Sequence, residues 1–387
     1  IFLTLQLLFK EVNEEPIYFD FASTTPVKEE VYKAMLPYFL NYYGNASSST
    51  HIHGEVASKA IEKAKNQISK LVNCEENEVF FTSGSTESIK LAISQIFYNS
   101  LDVGNHIITS RAEHKAVLDT CKDLEKVGAR VTYLDVNENG QIDTNLLVQH
   151  IGNDTILVAL MHVNNETGVL TDVEEIGAIC KEKNVLFFTD ATQAYGKLAI
   201  NFQDENIDLL CFNAHKIYGP KGIGGLLVKS NAKTKSGTMV KHLIDSVNLG
   251  TQNVPGIVGL GKASEVAMSE MKNNFERIHK LNTYLQQELL QSKLGVVNAS
   301  SVKRSPYILN IQLLNQDAES FILRNKNMFS VSTGSACNSR LLEQSHVLKS
   351  MGLSKEKADR SIRVSFGAMT TQTQLNKLIK AFRSANS

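Results

Sequence analysis

The stretch VLFFTDATQAYGKLAINFQDENIDLLCFNAHKIYGPKGIGGLLVK, residues 185–229, contains three short apolar runs separated by polar segments. The first run ends at Asp190, and the second is followed closely by His215 and Lys216. Short apolar runs bounded by turn residues are typical of buried strands. Polar side chains at the ends of such strands are candidates for a ligand site, because ligands of open α/β sheets bind beyond the carboxyl ends of the strands.

The same pattern extends over a much longer part of the chain. Short apolar runs alternate with helical stretches, and their sequences are EVFFTSG, HIITS, ARVTYLDV, TILVALMHV, VLFFTDA, DLLCFNA and GIGGLLVK. This alternation predicts an α/β fold with a mostly parallel sheet. Near residue 271 a long amphipathic pattern, EVAMSEMKNNFERIHKLNTYLQQELLQS, precedes mixed short elements and predicts a smaller α+β domain. We therefore expect a large domain at 26–270 and a small domain formed by 1–25 and 271–387.

Composition sets limits on the class of protein. The length of 387 residues favours two domains, and 42% hydrophobic residues are typical of a globular chain. Lys and Arg together number 40, as do Asp and Glu, so no net charge favours direct binding of nucleic acid or of an anionic membrane. The apolar opening IFLTLQLLFK has about half the length that a membrane span requires. We expect a cytoplasmic protein that does not contact a membrane.

The cysteines indicate a reducing compartment and one reactive thiol. They are scattered, with no C-x-x-C pair, which argues against a disulfide framework and against a metal site. Their positions are Cys74, Cys121, Cys180, Cys211 and Cys337. Cys337 lies in the polar stretch SVSTGSACNSRLLEQSHVL, residues 330–348, with no large apolar neighbour closer to it in sequence than Leu341. This setting favours an accessible nucleophile over a packed thiol, although a tolerated exposed cysteine is the alternative.

Each candidate at a strand end has a structural alternative when it is considered alone. Gly84, Ser85 and Thr86 of FFTSGSTES could hold a phosphate at a helix start or form an ordinary capped turn. Asp190 could serve only as a helix cap. Lys216 could be a surface lysine whose stem is buried.

Together, a phosphate-type turn, a strand-end aspartate and a later strand-end lysine are the parts that bind pyridoxal phosphate. With these motifs the chain resembles the cysteine desulfurases, within the class V aminotransferase-like pyridoxal-phosphate enzymes. The resemblance runs from IYFDFASTTP to SIRVSFGAMTT, through GNASSSTH, FTSGSTES, AEHKAVLDTC, MHVNNETG, DATQ, AHKIYGPKGIG and STGSACNS. It implies a fold-type I large domain with a mostly parallel sheet and a smaller α+β domain. The Cys337 loop is similar to the long form of the iron–sulfur and nitrogenase-associated branch.

The resemblance implies how the cofactor is held. Lys216 matches the lysine that binds the cofactor covalently, Asp190 matches the partner of the pyridine nitrogen, and His114 matches the histidine that stacks on the ring and shuttles protons. The other cofactor-binding positions implied are Ser85, Thr86, Asn165, Gln193, His215 and Thr251. Of these, Asn165 and Gln193 match the residues near the cofactor's phenolic oxygen and the substrate carboxylate. Because Thr251 matches a phosphate ligand that the other subunit supplies, we expect a homodimer.

The resemblance also implies the reaction. Arg363 matches the arginine that clamps the substrate carboxylate, with Asn165 beside it, and Cys337 matches the nucleophile that becomes a persulfide. L-Cysteine would be converted to L-alanine, and the sulfur would pass to an acceptor protein. The acceptor could serve iron–sulfur assembly, tRNA thiolation or DNA phosphorothioation, and we favour a dedicated modification pathway in which the partner binds any nucleic acid.

Several positions depart from the family pattern. Asn213 stands where a serine phosphate ligand is usual, Lys90 stands where asparagine is common, and residues 240–253 lack the usual glycines and arginines. We therefore predict weak cofactor retention. A selenocysteine lyase, another aminotransferase-like pyridoxal-phosphate enzyme, or an inactive scaffold in a sulfur-transfer complex are the alternative functions.

Overall fold

The computed structural model describes residues 15–246, 250–333 and 344–384. The strands within these ranges, in chain order, are β1 (Ile17–Tyr18), β2 (Val79–Thr82), β3 (His106–Ser110), β4 (Arg130–Leu134), β5 (Thr155–Ala159), β6 (Leu186–Asp190), β7 (Leu209–Asn213), β8 (Gly224–Val228), β9 (Gly295–Val297), β10 (Ile308–Leu313), β11 (Phe329–Ser330) and β12 (Ser361–Ser365).

Helices occur between most of these strands. In chain order they are α1 (Glu29–Met35), α2 (Pro37–Leu40), α3 (Ile52–Val72), α4 (Ser85–Tyr98), α5 (Lys115–Glu125), α6 (Thr144–His150), α7 (Val173–Glu182), α8 (Val240–Asp245), α9 (Val254–Gln291), α10 (Ala318–Asn325), α11 (His346–Ser350), α12 (Lys355–Asp359) and α13 (Gln372–Ser384). Two short 3₁₀ turns, Glu76–Glu78 and Ala214–Lys216, complete the described elements.

The central sheet has seven strands in the order β2-β8-β7-β6-β5-β3-β4. These are the seven strands that the sequence predicts, and all neighbouring pairs are parallel except those that include β8. The predicted α/β fold with a mostly parallel sheet is therefore confirmed. The reversal of β8 follows from its short connection to β7, because a parallel neighbour would need a crossover of a dozen or more residues.

Both faces of the central sheet are covered. Along β6, Phe187 packs into one buried cluster and Phe188 into a second cluster on the opposite face. The same alternation occurs in β7, where Leu210 belongs to the first cluster and Leu209 to the second. Strands that are buried on both faces read as continuous apolar runs, which explains why their sequences lack polar alternation.

Two smaller sheets lie outside the central one. Strands β9, β10 and β12 form an antiparallel sheet in the order β12-β10-β9, and β1 pairs with β11 in parallel. Helix α9 is 38 residues long and joins the two regions of the chain. The predicted domain boundary between residues 270 and 271 falls inside this helix, and the division into 26–270 and the flanking segments stays a prediction.

Helix α9 begins at Val254, earlier than its amphipathic pattern suggests. Its first turns contain glycines that permit close packing against α3 and α1. A Cβ atom on Gly261 would lie 2.6 Å from the Cα of Ala64, and one on Gly259 would lie 2.6 Å from the sulfur of Met35. Among the described residues, no helix combines the length and the apolar character needed to cross a bilayer.

Candidate active site

The polar residues at the strand ends converge on one cavity of about 220 Å³ at the carboxyl edge of the central sheet. They come from distant parts of the chain because the carboxyl ends of parallel strands meet at the same edge. The predicted site residues that line it are Ser85, Thr86, His114, Asn165, Asp190, Gln193, His215, Lys216 and Arg363.

Lys216 lies at the end of the 3₁₀ turn that follows β7. Its Nζ donates to the backbone oxygen of Ala22 at 2.7 Å and to that of Ser23 at 2.5 Å. These carbonyls belong to the loop after β1, which sequence reasoning left without a role. They hold the amine at the cavity wall, where it can approach a ligand.

Asp190 ends β6 and is almost completely buried. Its Oδ1 accepts a hydrogen bond from the Thr192 amide at 2.9 Å, and the Cys211 thiol lies 3.5 Å from the same oxygen. Burial raises the pKa of Cys211 well above its usual value, so this thiol stays protonated and can donate. Asp190 thus caps the turn that follows β6, which is close to the capping role that we considered as its alternative. It also presents a carboxylate to the cavity. Spacing alone did not reveal Cys211 as its neighbour.

The start of α4 forms another part of the cavity wall, next to Lys216 and Asp190. Gly84 precedes this 14-residue helix with φ of 155°, and the helix begins at Ser85 and Thr86. Free backbone N–H groups at a helix start, with the partial positive charge of the helix dipole, favour an anion such as a phosphate. The Ser85 hydroxyl accepts a hydrogen bond from the Thr192 hydroxyl at 2.7 Å, which ties this wall to the end of β6.

Two histidines flank the lysine and the aspartate. His215 Nδ1 lies 3.1 Å from the Thr24 hydroxyl, and burial together with the charge of Lys216 lowers the pKa of His215 to about 4. His114 caps α5 by accepting the Ala116 amide at Nδ1, so its neutral ring carries the proton at Nε2. Burial lowers the pKa of His114, although Asp190 opposes the shift. Both rings are therefore neutral near pH 7.

Arg363 lies on β12 and is only 5% exposed. One of its terminal nitrogens contacts Asp20 Oδ1 at 2.7 Å, and the other donates to the backbone oxygen of Asn165 at 2.9 Å. Sequence reasoning did not identify Asp20 as the fixed partner. The guanidinium is thereby held in one orientation at the cavity, as recognition of a carboxylate requires.

Gln193 is held at both ends of its side-chain amide. The amide nitrogen donates to the backbone oxygen of Ala22 at 2.8 Å, and the amide oxygen accepts from Lys197 Nζ at 2.9 Å. Lys197 is buried, and no feature of the sequence singled it out.

Two predicted site residues are not among the cavity residues. Thr251 is exposed just before α9, and Cys337 lies outside the described residues. The segments that flank the Cys337 stretch do approach the site. Ser332 pairs with Arg363 through the backbone, and the Ser345 hydroxyl donates to the buried Glu166 carboxylate at 2.5 Å.

The donor set fits pyridoxal phosphate and an amino-acid substrate. The cavity offers an amine, a carboxylate, a helix start and a guanidinium. Arg363 Nε and Asn165 Oδ1 are buried without a hydrogen-bond partner in the described part of the chain, as expected for groups that a polar ligand satisfies. Within that same part, no three His, Cys, Asp or Glu side chains are grouped to hold a metal ion.

Comparisons with known proteins agree with this geometry. Residues 17–378 match the family model described as Aminotransferase class-V. The chain is 42% identical over 376 residues to the cysteine desulfurase IscS of Colwellia psychrerythraea, covering 96% of this chain and 92% of the relative. Among solved structures, a NifS-like protein superposes with a TM-score of 0.85 at 30% identity, covering 95% of this chain and 98% of that one. A structure of SspA in complex with cysteine gives a TM-score of 0.77 at 33% identity, covering 90% and 98%.

Proposed function

This chain belongs to the class-V aminotransferase family, within its cysteine desulfurase group, and from this premise we propose that it converts L-cysteine to L-alanine and passes the sulfur to an acceptor protein. The observation that carries the proposal is the meeting of Lys216, Asp190 and Arg363 around one cavity. These three groups are what an amino acid and pyridoxal phosphate require together: an amine, an anionic partner for the ring and a clamp for the substrate carboxylate.

The chain's own residues suit the cofactor. Lys216 would bind its aldehyde carbon, Asp190 would pair with its pyridine nitrogen, and the start of α4 with Ser85 and Thr86 would hold its phosphate. His215, neutral because its pKa is lowered, would add one hydrogen bond to the phosphate. When bound, pyridoxal phosphate supplies an electron sink for the carbon that loses its proton.

The substrate would be oriented from the opposite side. Arg363 would bind the carboxylate of L-cysteine, and its contact with Asp20 fixes the plane of the guanidinium. Once the substrate amine has replaced Lys216 at the aldehyde carbon, the freed Lys216 amine would take the α-proton, since it lies at the same cavity. His114 would cover the ligand with its neutral ring and hold a proton at Nε2.

The sulfur step uses Cys337. Its thiolate would attack the substrate sulfur, an S–S bond would form, and the substrate C–S bond would break with its electron pair moving to carbon. Protonation of that carbon and return of a proton to the α-carbon yield alanine, so the products are alanine and a Cys337 persulfide. The contacts of Ser332 and Ser345 support this role, because one flank of the Cys337 stretch pairs with Arg363 and the other is held by Glu166, the neighbour of Asn165 in the chain.

We also propose a homodimer in which Thr251 of each subunit completes the phosphate site of the other. Thr251 is exposed and does not line its own cavity. Exposed apolar side chains support the association, because large apolar groups open to solvent often mark an interaction surface. Five of them come from one stretch of the chain, namely Tyr32, Phe39, Leu40, Tyr43 and Ile52, which are between 52% and 74% exposed. The free thiols of Cys74, Cys121, Cys180 and Cys211 support a cytoplasmic setting.

The decisive experiment measures alanine and sulfide from L-cysteine with a reductant and added pyridoxal phosphate. Wild type should release both in equal amounts, and Cys337→Ala should release neither. Cys74→Ala is the matched control and should retain turnover, because burial raises the pKa of that thiol and leaves it unreactive. Turnover of selenocysteine alone would favour a lyase, and a wild type with no borohydride-sensitive absorption band would favour a scaffold.

The acceptor can be identified by following radiolabelled persulfide from Cys337. We expect preferential transfer to a protein of a dedicated tRNA or DNA modification pathway. Efficient transfer to a general iron–sulfur scaffold, with no preference for the modification protein, would contradict that expectation without affecting the desulfurase reaction.

A further inference from the structure

Lys197 is a buried cation with no acidic partner among the described residues. It is 8% exposed and lies in the turn after β6, behind the wall that carries Lys216. Its Nζ donates to Gln193 Oε1 at 2.9 Å and lies 5.9 Å from the ring centre of Tyr307. Burying an ammonium group without a carboxylate is unfavourable, so its retention calls for a reason beyond stability.

The surroundings of Lys197 weaken its charged form. Burial lowers the pKa of Lys197 to about 7, and the charges of Lys216 and Arg363 act in the same direction. In either protonation state the group keeps N–H donors. Lys197 therefore remains a donor to Gln193 across the neutral range.

This donor determines which way the Gln193 amide points. The oxygen and nitrogen of a glutamine amide are nearly identical in size, and their assignment depends on hydrogen-bond partners. The ammonium form of Lys197 offers only donors, so it faces the oxygen of Gln193. When Lys197 is neutral, the carbonyl of Ala22, which can only accept, still keeps the amide nitrogen on its own side. The nitrogen of the same amide then faces Ala22, whose backbone oxygen also accepts from Lys216. As a result, Gln193 presents N–H groups, not a carbonyl, on the side of the cavity.

We propose that Lys197 is a positioning residue that fixes the Gln193 amide with its nitrogen toward the cavity, so that an N–H donor meets the phenolic oxygen of bound pyridoxal phosphate. This inference rests on the proposed function. A donor at that oxygen stabilises its anionic form and lowers the pH at which the bound cofactor titrates. Removing Lys197 leaves the carbonyl of Ala22 as the only described partner that orients the amide, so the N–H donor toward the phenolic oxygen is held less firmly.

The test is a spectrophotometric pH titration of the bound cofactor in the holoenzyme. Lys197→Met keeps the apolar stem and removes the donor, and we expect the apparent pKa of the cofactor absorption to rise by about one unit or more. In a Gln193→Ala background the same substitution should produce no further rise, because Lys197 acts through Gln193. Lys229→Met is the matched control: its Nζ donates to the Gln203 backbone at 3.0 Å, far from the site, and the titration should be unchanged.

The outcomes separate the two proposals. If wild type neither retains pyridoxal phosphate nor forms alanine, the proposed function is wrong and this inference fails with it. If wild type does both but Lys197→Met titrates like wild type, or shifts equally in the Gln193→Ala background, only the inference is overturned. Should Lys197→Met fail to fold, Lys197→Arg retains the donor and should titrate close to wild type; a shift of a full unit there would equally overturn it.

Discussion

Each edge of the seven-stranded sheet holds a cavity, and the larger one is not the candidate site. The cavity at the amino ends of β5 and β6 measures about 350 Å³, against about 220 Å³ at the carboxyl ends. Four lysines line the larger cavity, namely Lys181, Lys229, Lys233 and Lys235. If size and positive charge were the criteria, the cavity at the amino edge would therefore have been chosen as the candidate ligand site.

The difference lies in what surrounds the charged groups. At the amino edge the lysines are exposed or half-buried, and Lys181, Lys229 and Lys235 donate to neutral amide or backbone oxygens. At the carboxyl edge an amine, a carboxylate and a guanidinium line the same cavity, and the carboxylate and guanidinium are almost completely buried. Unlike polar groups that converge from distant segments are a better sign of chemistry than cavity volume, because binding and catalytic sites bring such groups together around one ligand.

The largest effect should come from the lysine of the carboxyl edge. Lys216→Ala removes the covalent tether and the α-proton base, and we expect alanine formation to fall by at least about 10²–10⁴-fold. The melting temperature should change little, because the half-buried side chain is not part of the core. Lys229→Ala is the control from the amino edge and should retain wild-type turnover. Alanine formation by purified Lys216→Ala would contradict the assignment of the lysine.

Arg363→Lys should raise the KM for L-cysteine more than it lowers kcat. Lysine keeps the charge but lacks the planar fork that holds Asp20 and a carboxylate together, and we expect a rise in KM of about 10–100-fold. Arg383→Lys is the matched control, since Arg383 contacts Glu288 at 3.0 Å on the exposed face of α13. Steady-state kinetics on both variants would decide the point. An unchanged KM in Arg363→Lys would show that the carboxylate binds elsewhere.

The two edges can also be compared through two buried acids, because each acid makes the stability of the folded protein depend on pH. Burial raises the pKa of Glu113, beneath the carboxyl edge, from 4.5 to about 8, and that of Asp208, at the amino edge, from 3.8 to about 6. A raised folded pKa means that the folded state binds more protons, so stability falls as pH rises from the unfolded pKa to the folded one. Wild type should lose stability through Glu113 between about pH 4.5 and 8, and through Asp208 between about pH 3.8 and 6.

Replacing each acid by its amide removes the corresponding loss of stability, and the pH range of that loss differs between the two acids. In thermal melts from pH 4 to 9, the Tm advantage of Glu113→Gln over wild type should keep growing up to about pH 8. The corresponding advantage of Asp208→Asn should stop growing near pH 6. We expect each change to amount to several degrees. Parallel curves for the two variants would show that the carboxyl edge is no less hydrated than the amino edge.

Much of the fold was predictable because its signal is local. Every strand of the central sheet coincides with a predicted apolar run. Strand β6 ends at Asp190, and β7 is followed by the 3₁₀ turn that contains His215 and Lys216, as the pattern indicated. The direction of β8 required counting the residues that connect it to β7. The start of α9 was missed because glycines lower helix propensity, whereas here Gly259 and Gly261 permit close packing with α1 and α3.

The site was predictable to the extent that its residues lie in motifs. Asp190 and Lys216 were identified from strand ends together with the family resemblance, and Arg363 from the resemblance alone. Asp20 and Lys197 were not, because each acts on a site residue and nothing in their spacing shows the contact. Residues that act on a ligand only through another side chain can be recognised only from their contacts in the folded protein.

The smallest effect concerns the phosphate end of the carboxyl edge. Asn213 Oδ1 lies 2.9 Å from the position that a Cβ atom on Gly84 would occupy, so its amide packs against the start of α4. Asn213→Ser replaces this bulk with a hydroxyl donor beside Ser85 and His215, and one added hydrogen bond should lower the dissociation constant for pyridoxal phosphate about 2–10-fold. Equilibrium dialysis of the two proteins would measure the change. Asn231→Ser, at the amino edge, lines the larger cavity and should leave the constant as it is. If Asn213→Ser instead retains the cofactor no better than wild type, the asparagine is not what limits retention, and the altered stretch 240–253 becomes the place to look for the cause.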